Sequence, residues 1–260
     1  MTAEPVRHQR SEGSIHLSMG PRGIVRLREA QAAKVRIPFG VPEAILINTG
    51  GGLAGGDRFG FDITAEAGTT LTVTSQAAER VYRSLEPAAE VNVTLTAGDG
   101  ARLLWLPQET ILFDGAALTR SITADLAATA RLLAVESVIL GREAMGEMVA
   151  DARLADRWRI RRAGRLVFAD DLAFDGAPPV TPATLGGSRA FATVVLVDPR
   201  AEDLLDDLRT AIGERGTASA WSGKLVARLV ARDGFDLRKS LIPALTLLAG
   251  GAALPKTWSF

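Results

Sequence analysis

The chain has 260 residues, 47% of them apolar, which is enough to bury a sizeable core, and β-rich folds of this length often stay undivided. Lysine plus arginine equals aspartate plus glutamate at 30 each, so no global field directs the protein to nucleic acid or an anionic membrane. Cysteine is absent, which excludes disulfides, iron–sulfur clusters and thiolate zinc sites and favours the cytoplasm. The histidines are His8 and His16, so the body of the chain has no Ser-His-Asp or Cys-His site. Zero net charge with positive mean hydropathy predicts poor colloidal stability alone. A chain that lives with a partner has that composition, and so does one with a large core.

Residues 1–31 are polar, with no signal-peptide core, and residues 1–20 are expected to be flexible. No run is long enough to span a membrane. Ala44-Ile45-Leu46-Ile47 reads as a short strand. It leads into the loop Asn48–Asp57, half glycine, as a backbone needs where it takes φ > 0 or approaches something closely. Gly50, Gly52 and Gly55 match G-x-G-x-x-G, yet the helix that a dinucleotide site requires is missing. Phe59, Phe61 and Ile63 alternate with polar or small residues instead, as in a strand. A phosphate loop fails as well, because Asp57 stands where lysine belongs.

Further strands are predicted at Thr69–Ser75, Glu90–Thr96, Ala101–Leu106, Ala130–Leu140, Trp158–Ile160, Leu166–Phe168 and Phe191–Val197. Ala97–Gly100 reads as a turn, and Ala163-Gly164 as the tip of a hairpin. Pro178-Pro179, Pro182 and Gly186-Gly187 mark an irregular connection. The last third changes character. Leu204, Leu205, Leu208 and Ile212 have helical spacing within Pro199–Arg215, with Asp198 as a suitable N-cap. Ser222–Arg232 reads as one more strand. Arg238–Leu248 reads as a second helix despite Pro243. The expectation is one mainly β domain over residues 1–260, with a few helices in the C-terminal third and a partner-docking tail at 250–260.

Several of these segments together carry a family resemblance. The glycine loop is followed by Gln76-Ala77-Ala78-Glu79-Arg80-Val81-Tyr82-Arg83-Ser84 and by Leu106-Pro107-Gln108-Glu109-Thr110-Ile111-Leu112-Phe113-Asp114-Gly115-Ala116. Then come Leu140–Glu147, Asp156–Arg162, Arg165–Asp170 and Leu254-Pro255-Lys256-Thr257-Trp258. The set, collinear from about Pro42 to the end, resembles the urease accessory protein UreD, also called UreH. One departure is Asp170, where many relatives are expected to have glutamate.

The resemblance implies a mainly β fold, a helix-like stack of β-sheets (β-sandwich or β-helix-like), with helices near the C-terminal end. It implies no catalysis. UreD-like proteins bind urease apoprotein and recruit UreF, which carries the GTPase UreG, and the assembly delivers nickel to the dinuclear centre of urease. A water-filled internal tunnel is the route proposed for the metal in that family. No tightly bound cofactor is implied, only nickel in transit, and neither nucleic acid nor membrane is a partner.

Nickel prefers imidazole and thiolate, which this chain scarcely offers, whereas a conduit must bind weakly enough to release. Carboxylates suit that task, and the candidates are Asp57, Glu109, Asp114, Glu136, Glu147 and Asp170, each of which can equally be a turn cap, a solvated charge or half of an ion pair. Arg157, Arg159 and Arg161, with Arg162 and Arg165, form either a partner-binding patch or the solvated face of a hairpin whose Trp158 and Ile160 turn inward. Gln76, Glu79 and Arg83 either face one cavity or order a turn. Trp258 and Phe260 are aromatic anchors for a partner's groove or pack back on their own domain. Two other functions remain open: a carboxylate-dependent, glycosidase-like hydrolase, and an interaction module without metal.

Overall fold

The computed structural model describes residues 10–259 except 86, 143 and 144. After the strand Glu43–Asn48 (β4) the chain passes back and forth between two sheets. Thr70–Ser75 (β6), Arg102–Leu106 (β9) and Arg131–Leu140 (β12) join β4 in one sheet, each parallel to the last. Arg58–Ala65 (β5), Ala89–Ala97 (β8), Ala116–Leu126 (β11) and Ala152–Arg162 (β13) form the other in the same way; this one, which also takes the first strands of the chain, is the first sheet and that of β4 the second. Each coil of chain lays one strand on each sheet, which is the helix-like stack of sheets expected above. Two short strands, Glu79–Val81 (β7) and Thr110–Leu112 (β10), pair with each other beside β12.

Antiparallel strands finish both sheets. Glu12–Gly20 (β1) adds in parallel to β5, and Gly23–Gln31 (β2) folds back on it as the end strand of the first sheet. Ala33–Arg36 (β3) ends the second sheet beside β4. At the far end, Arg165–Gly176 (β14) returns along β13 through Ala163 (φ 48°) and Gly164 (φ 74°), the left-handed pair that a tight hairpin needs. Ala190–Val197 (β15), Gly216–Trp221 (β16) and Lys224–Ala231 (β17) complete the second sheet in the order β12-β15-β17-β16.

One core lies between the sheets, built from alternate residues such as Ile15, Leu17, Ile63, Leu71, Leu95, Leu103, Ile122 and Trp158. A second core lies on the other face of the second sheet, under the helices Leu205–Ile212 (α1) and Gly234–Leu248 (α2). β15 is therefore covered on both faces and all of its residues are buried, which explains its unbroken apolar run.

Four sequence expectations are corrected. Of residues 1–20, 1–9 lie outside the described residues, whereas 12–20 form the ordered strand β1: Ile15, Leu17 and Met19 alternate with His16 and Ser18, a period of two masked by the polar composition of the segment. The helix expected over 199–215 is shorter, with α1 flanked by 3-10 turns, and Asp198 holds the preceding turn by accepting the Arg200 amide at 2.8 Å. α2 begins earlier than expected because Asp233 caps it, accepting the Asp236 amide at 2.7 Å, and it carries Pro243 through its interior. The hairpin strands are also longer than Trp158–Ile160 and Leu166–Phe168, since their outward arginines and aspartates hid the alternation.

Trp258 requires a fifth correction. It is no free anchor: it is buried, its Nε1 donates to Leu106 O at 3.0 Å, and the Arg238 guanidinium lies over its ring. The aromatic ring is claimed by the second core of its own domain. Phe260, the other residue proposed for that role, lies outside the described residues.

Candidate functional site: a carboxylate-bearing cavity between the sheets

The glycine loop joins β4 to β5 and packs against the segment after β7. Leu53 N donates to Arg80 O at 2.7 Å, and Tyr82 N donates to Leu53 O at 2.8 Å. That approach leaves no room for side chains: a Cβ on Gly52 would lie 2.9 Å from Arg80 O, and one on Gly55 would lie 2.7 Å from Pro87 O. Asp57 closes the loop. Its two oxygens accept Ser11 N at 2.7 Å and Ala54 N at 2.8 Å, so it ties the loop to the start of β1. Asn48 holds the other end, taking Gly50 N on its oxygen and donating to Gly52 O at 3.1 Å.

Beneath this loop the two sheets enclose a cavity of about 230 Å³. Phe59, Phe61, Val91, Val93 and Leu118 make its apolar wall; Asn48, Glu79, Gln108, Arg120 and Glu136 make the polar one. Gly51, Gln76, Ala77 and Arg80, all exposed, mark where it reaches the surface. The aromatic rings face Trp105, whose centroid is 6.3 Å from that of Phe61.

The cavity carries two carboxyl groups in unlike settings. Glu136 is fully enclosed: Trp105 Nε1 donates to it at 2.8 Å and Arg120 Nη1 donates to its other oxygen. The same guanidinium forks onto Asp156 at 3.1 and 2.6 Å and reaches Thr110 Oγ1 at 3.2 Å. One buried cation thus serves two buried acids. Burial pushes Glu136 up to about 7, with the Asp156 charge adding to it and Arg120 opposing. Burial also disfavours the charge on Arg120, but the two carboxylates outweigh it and hold its pKa above the ordinary value.

Glu79, on β7, has no salt bridge among the described residues. It is held by Asn48 Nδ2, 3.2 Å from each of its oxygens. Burial raises its pKa to about 7, the Asn48 hydrogen bond, the Arg80 amide and the charge of the exposed Arg80 side chain pull it down, and the Asp57 charge adds a little to the rise. Next along the wall, Gln108 gives its oxygen to Arg238, while its buried Nε2 has no partner among the described residues. Such a donor suits a cavity that holds water.

The other candidates are dispersed. Of the six carboxylates singled out in the sequence, Glu136 lines this cavity. Glu109 is buried against Arg238 at 2.6 and 2.9 Å. Asp114 accepts the amides of Ala150 and Asp151, which hold its pKa below the ordinary value, and pairs with Arg83. Arg83 is therefore drawn away from the cavity that Gln76 and Glu79 share. Glu147 is held low by Arg142 at 2.9 Å, and Asp170 pairs with Arg228 at 2.5 Å beside a different hollow. Among the described residues no three of His, Asp and Glu gather as a metal centre.

Arg157, Arg159 and Arg161 do lie on one outward face of β13, with Trp158 and Ile160 turned in. Arg157 and Arg159 both pair with Asp171 across the hairpin, at 3.1 and 2.7 Å. Arg120, missed in the sequence, occupies an inward position of β11 between Leu118 and Ile122. A charged residue at a core-facing step of an alternating strand is the signal that could have found it. No helix among the described residues is long and apolar enough to cross a membrane.

The family model described as UreD urease accessory protein matches residues 11–259. A urease accessory protein UreD of Rhizobium etli is 48% identical over 270 residues, covering 100% of this chain and 99% of that protein. Its counterpart in Agrobacterium fabrum is 47% identical over 98% of this chain and 94% of its own length, and that of Mesorhizobium japonicum 45% over 98% and 96%. Matched from the first described strand to the tail, and by relatives of nearly its own length, the chain belongs to the UreD family of urease accessory proteins.

Proposed function

We propose that the protein is a non-enzymatic scaffold of urease maturation in the cytoplasm, which binds urease apoprotein and UreF, reaches UreG through UreF, and lets nickel pass transiently through the cavity between its sheets. The observation that carries the metal part of this reading is Glu79. It is a carboxyl group on a cavity roomy enough for water, held by an amide and by no salt bridge among the described residues. Deprotonated, it offers one hard oxygen site to a hydrated divalent ion. One carboxylate without imidazole or thiolate is a weak ligand for nickel, and a passage must release what it takes. Glu136 already has its charge matched by Arg120, so it shapes the wall and offers less to a cation. Asp57 acts one step removed, by fixing the glycine loop over the cavity's opening. The same pairing disfavours the hydrolase, since Glu136 is not free to serve as the second acid.

The test is nickel-dependent activation of urease in a reconstituted mixture of the four proteins. Glu79→Ala is expected to lower activation severalfold while co-purification with UreF and urease stays at the wild-type level. Full activation by Glu79→Ala would remove the metal passage and leave the scaffold. Absence of binding by the folded wild-type chain to either partner would remove the scaffold too.

A further inference from the structure

Cations collect at the corner of the stack where the chain turns from the first sheet into the second. Arg102 opens β9 and Arg131 opens β12. They are register partners on neighbouring parallel strands, so their side chains leave the same face from backbones about 4.8 Å apart. Leu104 and Leu133, two steps on, belong to the second core, so this is the face that the helices cover. Arg102 lies beside the end of α2, where a Cβ on Gly250 would be 3.5 Å from its Nη2. Arg162 reaches the corner from the first sheet. It ends the inward row of β13 after Trp158 and Ile160, donates from Nη2 to Ala130 O at 3.1 Å, and brings Nη1 to 3.3 Å from where a Cβ on Gly223 would stand. Arg200 is exposed in the turn after β15. Lys224, buried at the start of β17, holds its Nζ over the Trp221 ring, 4.4 Å from the centroid.

One acid stands among them. Asp198 places Oδ2 3.6 Å from Arg131 Nε, and its Oδ1 accepts the Arg200 amide. Glu202, nearby, gives Oε1 to the Gly223 amide at 3.0 Å. Arg102, Arg162, Arg200 and Lys224 form no salt bridge among the described residues. The C-terminal end of α2 adds a partial negative charge of about half an electron beside Arg102. The surplus is felt by its members. Burial lowers the pKa of Arg102, Asp198 opposes the fall, and the charges of Arg131 and Arg200 add to it. Burial lowers that of Lys224 as well, with Glu202 opposing and Arg165 adding. A chain of zero net charge has therefore gathered like charges where they repel one another, and a bound anion would relieve that repulsion.

We propose that this corner is a binding site for a small polyanion of the phosphate class, held by Arg131 and Arg200 at the surface and by Arg102 beneath them. A guanidinium matches phosphate oxygens two at a time. Two of them on adjacent strands, with a third across Asp198, suit a diphosphate better than a single phosphate. Trp221, half-exposed at the rim, adds a flat surface of the kind on which a nucleotide base stacks. Neither the scaffold nor the metal passage is needed for this site.

The test is calorimetric titration of the full chain with pyrophosphate, orthophosphate and adenosine triphosphate. Pyrophosphate is expected to bind saturably, at least about tenfold tighter than orthophosphate, and more weakly as salt rises. Arg131→Ala and Arg200→Ala should each weaken it about tenfold. Both side chains reach the surface, so circular dichroism should match the wild type, and Arg200, which forms no salt bridge, serves should Arg131→Ala disturb Asp198. Arg26→Ala removes an exposed charge on β2 and should bind as the wild type does. Absence of saturable binding by the folded wild type overturns the proposal. So do equal affinities for pyrophosphate and orthophosphate, an equal loss in Arg26→Ala, or wild-type affinity in both corner variants. The triphosphate separates two sources of the same chemistry, and either result supports the site. Tighter binding than pyrophosphate, lost in Trp221→Ala, assigns a nucleotide; binding indifferent to Trp221→Ala assigns the phosphate chain alone.

Discussion

The two carboxyl groups of the cavity sit on the same wall and are both pushed up to about 7 by burial, yet they are held in opposite ways. Glu136 is half of a closed arrangement in which Arg120 also grips Asp156, so its charge is matched and its geometry fixed. Glu79 has an amide and the charge of the exposed Arg80 for company, and no salt bridge among the described residues. The first arrangement costs much to break and does little else; the second costs something to keep, and a charge kept without a counter-ion is available to a passing one. Burial alone does not mark a functional carboxylate. What distinguishes these two is whether the protein has already supplied the cation.

Breaking the matched side should have the largest effect. Arg120→Met leaves Glu136 and Asp156 buried together without their cation, and should destabilise the fold by about 3–5 kcal/mol at pH 8. Urea denaturation measures this. The loss should shrink as pH falls and Glu136 takes up a proton, and a loss independent of pH would mean that the guanidinium acts by packing.

Removing the unmatched charge should do the reverse. Glu79 has a folded pKa of about 7, above its unfolded value, so its contribution to stability is fully present below the unfolded pKa and is lost as pH rises through 7. Glu79→Gln keeps the shape and the Asn48 contact without the charge. It should therefore be more stable than the wild type at pH 8, by about 2 kcal/mol once partial solvent access is discounted, and show no advantage at pH 4. Equal stability at both values would place Glu79 in effective contact with a counter-ion or bulk water.

A smaller effect links this to the metal. A divalent ion that binds deprotonated Glu79 should stabilise the folded state by mass action. Millimolar nickel is then expected to raise the unfolding midpoint of the wild type slightly at pH 8, to have no effect at pH 5.5, and to have none on Glu79→Gln at either pH. A shift of equal size in the variant would assign the metal to another site.

The sequence made the fold legible wherever one face of a strand was wet. Thr70–Ser75 and Ala89–Ala97 alternate cleanly because one side meets solvent or polar neighbours. β11 went unread because Arg120 interrupts its apolar positions, and β1 because its polar residues outnumber the ones that point inward. The site was legible in its pieces. The glycine loop, Glu79 and Glu136 all drew notice, but their meeting depends on bringing β4, β7 and β12 into one sheet with other strands between them, and no local pattern reports such a neighbour. Asp114 and Glu147 show the converse. Each stood out as an acid, and each is spent on arginines and amides that lie next to it only in the folded chain.

The smallest effect on stability is expected on the outer face. Arg159 donates to Asp171 at 2.7 Å, to Asp170 O at 3.1 Å and to Trp158 O at 2.7 Å, more bonds than Glu79 makes to Asn48. Asp171, however, is more than half exposed, and water replaces a lost partner there at almost no cost. Arg159→Ala should leave the unfolding midpoint unchanged. That indifference makes the variant informative, because any loss of affinity for urease or UreF can then be read as a direct contact and not as damage to the fold. Loss of stability in Arg159→Ala would instead mean that this hairpin face is shielded from water in the free protein, and the contrast between matched interior charges and solvated exterior ones would fail at that point.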